Sequence, residues 1–322
     1  MPRSGSVFLL TRLTISGDDM TRQELFINCV KLLEDSGTDD PQFDMMCIFQ
    51  DIMHDKAPLL KPKEEVPADI HERIMQLTER RCGGYPLQYL LGEWEFYGYP
   101  FKVGEGVLIP RPDTETLIEH VLDYCREKKL GAPVIADLCS GSGCIAVTLK
   151  KEIPEANVTA VEISDEALGY LRENAKLNGA DINIVKGNVL SRECRESFDN
   201  IDIIVSNPPY IRTRMISILQ EEVKDHEPLQ ALDGGRDGLD FYRVIVKEAA
   251  DHLKPGGFLL LEIGHDQGED LRKMIRDDGR YTPAEIIRDL PGKDRVVKCE
   301  IRDKNEHRAE AKGVTEEQGE DQ

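Results

Sequence analysis

The sequence predicts an α/β protein with a doubly wound, mostly parallel sheet, preceded by a small helical domain. From residue 134 onward, short apolar runs typical of buried strands alternate with amphipathic segments of helical period. Such alternation is typical of a parallel sheet that is covered by helices on both faces. Between residues 20 and 89, apolar residues instead recur at helical spacing only. This change of pattern indicates that a separate helical unit comes first.

The helical domain is predicted to span residues 20–92. It opens with Thr21 and Glu24 at the spacing of a capping box, and apolar residues follow at helical spacing. A second helix is predicted around residues 43–53, and a third around 70–78 that ends near Gly83 and Gly84. Residues 1–19 are predicted to be an N-terminal extension.

A β-hairpin that links the two domains is predicted for residues 93–109, which combine aromatic residues with glycines. Its aromatic residues are consistent with a packing plug and equally with a recognition surface. The segment Ile109–Glu115 has two prolines and predicts a stiff start to a helix capped by Asp113 or Thr114. Arg111 and Thr114 either reach a ligand pocket or only fix the start of this helix.

The α/β domain is predicted to span residues 110–302. Strands are predicted at Val134–Leu138, Val158–Ile163, Ile182–Lys186, Ile201–Ser206, Phe258–Ile263, Ala284–Arg288 and Val296–Ile301. Helices are predicted at Gly143–Lys150, Glu166–Asn178, Phe241–Leu253 and Gly268–Asp278. Residues 303–322 are polar and acidic, which predicts a disordered tail.

The acidic composition argues against a protein that binds nucleic acid directly. The formal net charge is −20; residues 303–322 hold seven acidic and three basic residues, so −4 belongs to the tail and −16 to the rest. Affinity for phosphate backbones needs basic surface. A basic macromolecular partner suits this chain better.

The cysteine pattern favours free thiols in a reducing, cytoplasmic compartment. Eight cysteines occur without any Cys-x-x-Cys pair, and most lie in apolar runs. The seven histidines show no metal-binding spacing, so no metal site is inferred. No apolar run approaches the ~18 residues of a membrane span, and the apolar patch near the N-terminus is too short for a signal peptide. No membrane association is expected.

The segment Ser206-Asn207-Pro208-Pro209-Tyr210 directly follows a predicted buried strand. The prolines fix the backbone, so the Pro208 carbonyl is held rigidly, and the Asn207 side chain offers a second carbonyl beside it. Tyr210 adds a flat face with a polar tip. Two fixed acceptors beside an aromatic wall suit a planar NH2 group, either an amide or an amino base. Alone, the segment is also consistent with an ordinary Asn-Pro turn.

The loop Asp137-Leu138-Cys139-Ser140-Gly141-Ser142-Gly143 joins the first strand of this domain to its helix. Its glycines let the backbone approach a ligand, and the helix N-terminus presents free N–H groups. Glu162 ends the next strand, where a carboxylate can bind a ribose diol. The glycine spacing also satisfies a dinucleotide fingerprint, so a nicotinamide enzyme is an alternative.

Two features favour S-adenosylmethionine over a dinucleotide. Asp137 at the strand end would repel a pyrophosphate but suits the ammonium group of an amino acid. The Asn-Pro-Pro-Tyr segment follows the fourth strand, at the edge where a sheet of this kind binds its substrate. Asn188 is placed to hydrogen-bond the adenine amino group while Val189 packs on the ring, although Asn188 is also consistent with a plain loop residue.

From residue 20 to residue 302 the chain resembles the protein-(glutamine-N5) methyltransferases that modify peptide-chain release factors, the PrmC/HemK family. The resemblance is carried by the Asp137–Gly143 loop, the Asn207–Tyr210 segment and several further blocks. These blocks are Gly84–Gly92, Leu108–Glu115, Glu227–Pro228, Ala231–Leu232, Gly235–Leu239, Lys254–Gly257, Leu261–Gly264 and Asp289–Arg295. Asn-Pro-Pro-Tyr alone is shared with enzymes that methylate base amines, whereas the Ile109–Glu115 block and the helical domain are more specific.

The resemblance implies a class I S-adenosylmethionine-dependent methyltransferase fold. It implies a Rossmann-like seven-stranded sheet whose last strand is antiparallel, with a helical domain that helps to dock the substrate. It implies that the cofactor contacts Cys139, Ser140, Gly141, Ser142, Gly143, Glu162, Asn188, Val189 and Asn207. To these Asp137 is added as the expected partner of the ammonium group. It also implies that Asn207, Pro208, Pro209 and Tyr210 hold the target glutamine, with Asn207 and Pro208 catalytic. The expected product is S-adenosylhomocysteine and the expected partners are class 1 release factors.

Two departures from the family pattern concern the cofactor residues. Cys139-Ser140 stand where Gly-Thr is usual, and Asn188 stands where Asp is common. The segment from Ile211 to Asp240 is a long polar connection, consistent with a lid over the glutamine or with a surface excursion. Alternative functions are a nucleic-acid amine methyltransferase, a catalytically silent adaptor and a nicotinamide oxidoreductase.

Overall fold

A computed structural model of the chain describes residues 20–189, 200–289 and 291–302. These residues form two compact units that divide between Leu91 and Gly92. The predicted extension at 1–19 and the predicted tail at 303–322 lie outside the described residues. None of the described helices is both long enough and apolar enough to cross a lipid bilayer.

The first unit consists of helices. They are α1 (Arg22–Ser36), α2 (Pro41–Met53), α3 (Ala68–Cys82) and α4 (Leu87–Leu91). The predicted capping box is present at the start of α1, where Thr21 N–H donates to Glu24 Oε2 over 3.0 Å. Leu25, Leu33 and Phe49 are fully buried in its core. Helix α4 has only five residues, too few for a periodic pattern to predict it.

The predicted hairpin pairs strand β1 (Glu93–Phe96) antiparallel with strand β2 (Tyr99–Lys102). It lies in the second unit. Phe96 and Phe101 are buried in the main core of that unit, together with residues of its sheet and helices. These two aromatic side chains therefore serve in packing rather than recognition.

The second unit contains a seven-stranded sheet with the order β5-β4-β3-β6-β7-β9-β8. Its strands are β3 (Val134–Leu138), β4 (Asn157–Glu162), β5 (Asn183–Lys186), β6 (Ile201–Ser206), β7 (Leu253–Glu262), β8 (Glu285–Arg288) and β9 (Asp294–Glu300). The pairs from β5 through β7 are parallel, while β9 lies antiparallel between β7 and β8. This arrangement confirms the predicted sheet with an antiparallel last strand.

Helices cover both faces of the sheet. They are α5 (Glu115–Lys128), α6 (Cys144–Glu152), α7 (Asp165–Leu177), α8 (Thr213–Ile216), α9 (Glu221–Lys224), α10 (Leu229–Leu232), α11 (Asp240–His252) and α12 (Gly268–Asp278). Ile203 and Val205 join one core cluster with α5 and α6, whereas Ile204 joins another with α11 and α12. Because successive residues of a strand point to opposite faces, β6 is buried on both sides.

The strand order reverses between β3 and β6, which lie side by side although they are not consecutive in the chain. Leu138 at the end of β3 is paired with Ser206 at the end of β6. The two candidate motifs, which follow these residues directly, therefore leave the sheet next to each other. In open sheets of this kind, ligands bind outside the carboxyl ends of the strands at such a reversal.

Three expectations about local structure differ from what is observed. Pro112–Thr114 forms a 3-10 turn before α5, and Thr114 is the N-cap residue of α5, one of the two predicted, but its side chain makes no capping hydrogen bond. Strand β7 begins at Leu253, earlier than predicted, because the chain continues in the sheet through Lys254–Gly257 with a register shift against β6. The polar connection between residues 211 and 240 contains three short helices.

The cysteines among the described residues are all free thiols. Cys29, Cys125, Cys144 and Cys299 are buried, and the other three are partly exposed. Cys194 lies outside the described residues. Burial raises the pKa of the Cys144 thiol to about 12, which keeps this thiol protonated at neutral pH.

Candidate active site

A cleft of about 700 Å³, including its open mouth, lies at the reversal point of the sheet. Loops after β2, β3, β4, β5 and β6 contribute to its wall, together with residues of α10 and α11. The lining residues are Gly106, Val107, Leu108, Cys139, Gly141, Val161, Glu162, Ile163, Ser164, Ala167, Gly187, Asn188, Val189, Asn207, Pro209, Pro228, Gln230, Ala231 and Phe241.

The cleft brings together about half of the residues that the sequence predicts for the site. Those that line it are Cys139, Gly141, Glu162, Asn188, Val189, Asn207 and Pro209. Those that do not line it are Asp137, Ser140, Ser142, Gly143, Pro208 and Tyr210. Asp137 in β3 and the loop residues Ser140 and Ser142 are buried. For the second group, direct contact with a ligand stays a prediction.

The loop after β3 is held by its backbone conformation. Cys139, Gly141 and Gly143 all have positive φ angles, of 60°, 55° and 81°. At Gly143 an added Cβ would lie 3.0 Å from Leu171 Cγ, so the glycine also allows close packing of the loop on α7. Cys139 adopts the left-handed region without the freedom of a glycine, which costs conformational energy at the rim of the cleft.

Glu162 ties the loops after β3 and β4 together. Its Oε2 accepts a hydrogen bond from the Gly141 N–H over 2.8 Å, and its Oε1 accepts from the N–H groups of Ile163 and Ser164 over 2.7 and 2.8 Å. A carboxylate has about four acceptor positions. Glu162 thus has room for about one further donor at the cleft surface, such as a ribose hydroxyl.

Asp137 is fully buried beside the N-terminus of α6. Its Oδ2 accepts from the Ala146 N–H over 3.2 Å, while its buried Oδ1 has no hydrogen-bond partner among the described residues. Burial raises the pKa of Asp137 to about 8. A cation that came to rest against this carboxyl would favour its ionised form.

An apolar wall faces the loop after β3. Val161 and Val189 are buried and form a small cluster with Phe241 and Cys139. A flat heteroaromatic ring could pack on this surface. Phe241 was not predicted as a site residue, because its position near the start of a predicted amphipathic helix indicates only core packing.

Asn207 is held by a chain of side-chain hydrogen bonds that the sequence did not predict. Its Nδ2 donates to the Thr114 hydroxyl over 3.1 Å, and the Thr114 hydroxyl donates to Glu262 Oε2 over 2.6 Å. Glu262 is the last residue of β7 and is almost fully buried. No described residue donates to Asn207 Oδ1. The amide therefore keeps its carbonyl available for a ligand.

The rest of the Asn-Pro-Pro-Tyr segment is anchored from behind. The Tyr210 hydroxyl donates to Glu262 Oε1 over 3.4 Å, and the Tyr210 carbonyl accepts from Gln267 Nε2 over 3.1 Å. Burial raises the pKa of the Tyr210 phenol, so it stays a donor at neutral pH. In the described part of the chain, no group donates a hydrogen bond to the Pro208 carbonyl. That this carbonyl is a second acceptor for the substrate stays a prediction.

Glycines let the connection after β6 pack directly on this segment. An added Cβ at Gly234 would lie 2.7 Å from both the Pro209 carbonyl oxygen and Tyr210 Cα. The Gly234 N–H donates to the Ile211 carbonyl over 2.9 Å. The connection is thus fixed against the backbone of the site, and its residues Pro228, Gln230 and Ala231 line the cleft.

Two arginines flank the hydrogen-bonded chain and form three ion pairs. Arg111 pairs with Glu227, whose carboxylate is almost fully buried. Arg295 pairs with Asp113 and with Asp289, each over 3.0 Å. Arg111 and Thr114 thus bind neighbouring protein groups, and neither lines the cleft. No group of three His, Cys, Asp or Glu side chains in residues 20–189, 200–289 and 291–302 is arranged to hold a metal ion.

Comparison with known families places both units of the chain. The family described as "PrmC N-terminal domain" matches residues 24–92. The family described as "Methyltransferase small domain" matches residues 113–225. The second match contains the loop after β3, Glu162 and the Asn-Pro-Pro-Tyr segment.

Similar proteins named release factor glutamine methyltransferase occur in several bacteria. The one from Fusobacterium nucleatum is 38% identical over 281 residues, which cover 85% of this chain and 77% of that protein. The one from Koribacter versatilis is 39% identical over 282 residues, which cover 86% of this chain and 98% of that protein. The one from Geobacter sulfurreducens is 43% identical over 221 residues, covering 69% and 75% of the two chains.

Proposed function

The chain belongs to the family of release factor glutamine methyltransferases, and on that premise we propose that it methylates the glutamine of the Gly-Gly-Gln motif in class 1 release factors. The methyl donor in this proposal is S-adenosylmethionine, and the acceptor is the side-chain amide nitrogen. The observation that carries the proposal is Asn207, which lines the cleft and whose Oδ1 accepts no hydrogen bond from the described residues, next to the Pro208 carbonyl, which likewise accepts none. The reaction would take place in the cytoplasm, where translation terminates.

The cleft fits the proposed donor in its chemistry. The apolar wall of Val161, Val189 and Phe241 suits an adenine ring, and Glu162 has acceptor capacity for a ribose hydroxyl. Asp137 Oδ1, which accepts no hydrogen bond from the described residues, is the proposed partner of the ammonium group of the donor. When bound, S-adenosylmethionine supplies a methyl group activated by its sulfonium. The residues of the chain supply orientation and hydrogen bonds.

The two acceptors would act on the nitrogen of the target amide. An amide nitrogen is a poor nucleophile because its lone pair is delocalised into the carbonyl. If Asn207 Oδ1 and the Pro208 carbonyl each accept one N–H, the nitrogen is favoured in a pyramidal form whose lone pair points at the methyl carbon. The new N–C bond forms as the C–S bond breaks, and one N–H proton then leaves to solvent.

The same two hydrogen bonds would strengthen as the reaction proceeds. Positive charge develops on the nitrogen during methyl transfer, and charged donors bind carbonyl oxygens more strongly than neutral donors do. The site therefore binds the transition state better than the substrate, which is the requirement for catalysis. A general base is not required before transfer, because the surplus proton leaves a strongly acidic group.

We propose that the helical unit helps to dock the release factor. Three of its large apolar side chains are at least half exposed: Ile27 at 56%, Phe43 at 50% and Leu60 at 82%. In the proposed complex the release factor would cover some of this apolar surface. The net charge of −20 also favours a partner with basic surface.

Transfer of labelled methyl groups tests the proposal. S-adenosylmethionine with a labelled methyl is offered with a class 1 release factor, with nucleic acid, and with neither. Label is expected in the release factor alone, on the glutamine of Gly-Gly-Gln, and it should disappear when this glutamine is replaced. Label in nucleic acid instead would identify a base amine as the acceptor, since a base amine presents the same pair of N–H bonds.

Replacing Gly234 with alanine is expected to reduce methyl transfer without removing any side chain of the site. The added Cβ would force the backbone of Pro209 and Tyr210 to move, because both lie within 2.7 Å of it. Displacement of catalytic groups by about 1 Å can cost on the order of 10²-fold, so kcat should fall by roughly 10–10²-fold. Initial rates with saturating donor measure this.

The matched control is Gly169→Ala in α7. An added Cβ at Gly169 meets no atom within 4 Å. Alanine is about 1 kcal/mol better than glycine within a helix, so this variant should be slightly more stable and retain its kcat. Equal rates for the two variants would show that the packing of Gly234 on the site does not matter.

A further inference from the structure

We infer that Glu262 and Thr114 are positioning residues that determine which side of the Asn207 amide faces the substrate. The inference rests on the proposed function, because it assigns a cause to the orientation of a group that acts there. The two residues are far from Asn207 in the chain, by 55 and 93 positions, and neither lines the cleft. Their effect on the reaction would pass entirely through hydrogen bonds.

The sheet brings Glu262 next to Asn207. Strands β6 and β7 are parallel neighbours, and Ser206 is paired with Leu261. Asn207, which follows Ser206, is therefore adjacent to Glu262, which follows Leu261. Thr114, from the 3-10 turn before α5, lies between the two side chains and hydrogen-bonds both.

The direction of these hydrogen bonds follows from the chemistry at the buried end. An ionised carboxylate can only accept, and a threonine hydroxyl has a single proton. Because Thr114 donates that proton to Glu262 over 2.6 Å, its oxygen can only accept from Asn207. The Asn207 group that bonds Thr114 must then be the NH2 group, and the carbonyl oxygen is turned away from Thr114.

The opposite orientation of the amide would harm the reaction. With the amide rotated by 180°, its carbonyl oxygen would face a hydroxyl oxygen that has no proton to give. Its NH2 group would replace the acceptor offered to the substrate amide, which itself carries N–H groups. The carboxylate of Glu262 thus excludes an orientation in which the site could not accept an N–H bond.

Glu262 also anchors the other end of the motif. Its second oxygen, Oε1, accepts from the Tyr210 hydroxyl over 3.4 Å. The Tyr242 hydroxyl donates to the backbone carbonyl of Glu262 over 2.7 Å, which fixes the residue itself. One buried carboxylate therefore connects both polar side chains of Asn-Pro-Pro-Tyr.

The ionisation of Glu262 is set by its surroundings. Burial raises its pKa to about 7, although the hydrogen bond from Thr114 and the charge of Arg295 lower it, and Asp113 adds to the rise. The titratable or charged groups around it are Asp113, Cys144, Tyr210, Tyr242 and Arg295. When protonated, Glu262 can donate to Thr114, and the direction of the hydrogen-bonded chain is no longer determined. Activity should therefore be present above this pKa and fall as the pH drops through it.

Steady-state kinetics of conservative variants test the inference. Thr114→Val and Glu262→Gln keep the size of each side chain but remove the directing proton or the acceptor-only group. For both, kcat with a release factor should fall by roughly 10–10²-fold, a smaller effect than loss of a group that touches the substrate. The dissociation constant for S-adenosylhomocysteine should change by less than about threefold, since Asn207 is the only proposed cofactor residue that Thr114 contacts and Glu162 and the loop after β3 are unaffected. Thr114→Ser restores the hydroxyl and should recover most of the loss.

Thr148→Val is the matched control for Thr114→Val. Thr148 is also fully buried in the second unit, but its hydroxyl has no hydrogen-bond partner among the described residues. Its replacement should leave kcat unchanged and should not lower the thermal midpoint. A loss of kcat in Thr114→Val that Thr148→Val shares would assign the effect to packing and overturn the inference.

The pH profile separates positioning from a structural role. The kcat of the unmodified enzyme should decline below about pH 7, whereas Glu262→Gln should lack this acidic decline. A profile of the same shape in both proteins would overturn the part of the inference that depends on the ionised carboxylate.

A measurement without a substrate decides the inference even if the proposed function fails. The side-chain amide protons of Asn207 can be observed in protein labelled with 15N-asparagine and assigned with Asn207→Ala. Their exchange with water should accelerate at least tenfold in Thr114→Val. Unchanged exchange overturns the inference, whereas an unmodified enzyme that shows the expected exchange but methylates no release factor refutes the proposed function alone.

Discussion

Replacing Asn207 with alanine is expected to lower kcat by at least 10²–10³-fold. Loss of one oriented hydrogen-bonding group from an active site costs about this much. Asn207 has two proposed roles, because it accepts a hydrogen bond from the substrate and also contacts the cofactor. Initial rates at saturating release factor and donor measure the effect. Binding of S-adenosylhomocysteine, measured by calorimetry, separates the loss in turnover from weaker cofactor binding.

Asn183→Ala provides the control for this prediction. Asn183 is an exposed asparagine at the start of β5, away from the carboxyl end of the sheet, and its side chain hydrogen-bonds the Asn157 side chain. Its replacement should leave kcat unchanged. If Asn207→Ala retained a turnover close to that of the unmodified enzyme, the mechanism with two acceptors on the amide would be wrong.

Replacing Glu162 with alanine is expected to weaken cofactor binding by on the order of 10²-fold or more. The variant loses the proposed ribose contact and leaves the N–H groups of Gly141, Ile163 and Ser164 without their acceptor. A hydrogen bond to a charged group contributes about 1.5–3 kcal/mol, and each 1.4 kcal/mol corresponds to about tenfold in affinity. Titration calorimetry with S-adenosylhomocysteine measures the change directly.

Glu162→Ala and Asn207→Ala should change different measured quantities. Glu162→Ala should act mainly on the dissociation constant and Asn207→Ala mainly on kcat. Glu155→Ala, at an exposed glutamate in the loop before β4, is the control and should alter neither quantity. Normal cofactor affinity in Glu162→Ala would remove this carboxylate from the cofactor site.

The sequence predicted strand bounds best where residues that disfavour strands stand on both sides of a continuous apolar run. Strands β3 and β6 have the predicted bounds, Val134–Leu138 and Ile201–Ser206. The start of β7 was predicted too late, because Pro255, Gly256 and Gly257 are typical of a turn, yet the strand accommodates them through a register shift. The four-residue helices after Asn-Pro-Pro-Tyr are too short to leave a periodic signal and depend on tertiary contacts.

The site was predicted as far as its residues lie within local motifs. Cys139, Gly141, Glu162, Asn188, Val189, Asn207 and Pro209 were named from the sequence and line the cleft. The roles of Thr114 and Glu262 were not predicted, because their hydrogen bond joins residues 148 positions apart. The sequence marks Glu262 by its place in the Leu261–Gly264 block and as a carboxylate at the end of an apolar strand, a position where burial is costly without partners.

The position of β9 inside the sheet has a consequence for synthesis of the enzyme. Residues 294–300 are made after every other strand of the sheet, yet they pair with both β7 and β8. Until they leave the ribosome, β7 has an unpaired edge and β8 has no partner strand. The sheet therefore stays incomplete during most of translation. A chain that stops before Asp294 should therefore expose the unpaired edge of β7, which is prone to aggregation. The nascent enzyme should depend on chaperones until β9 is inserted.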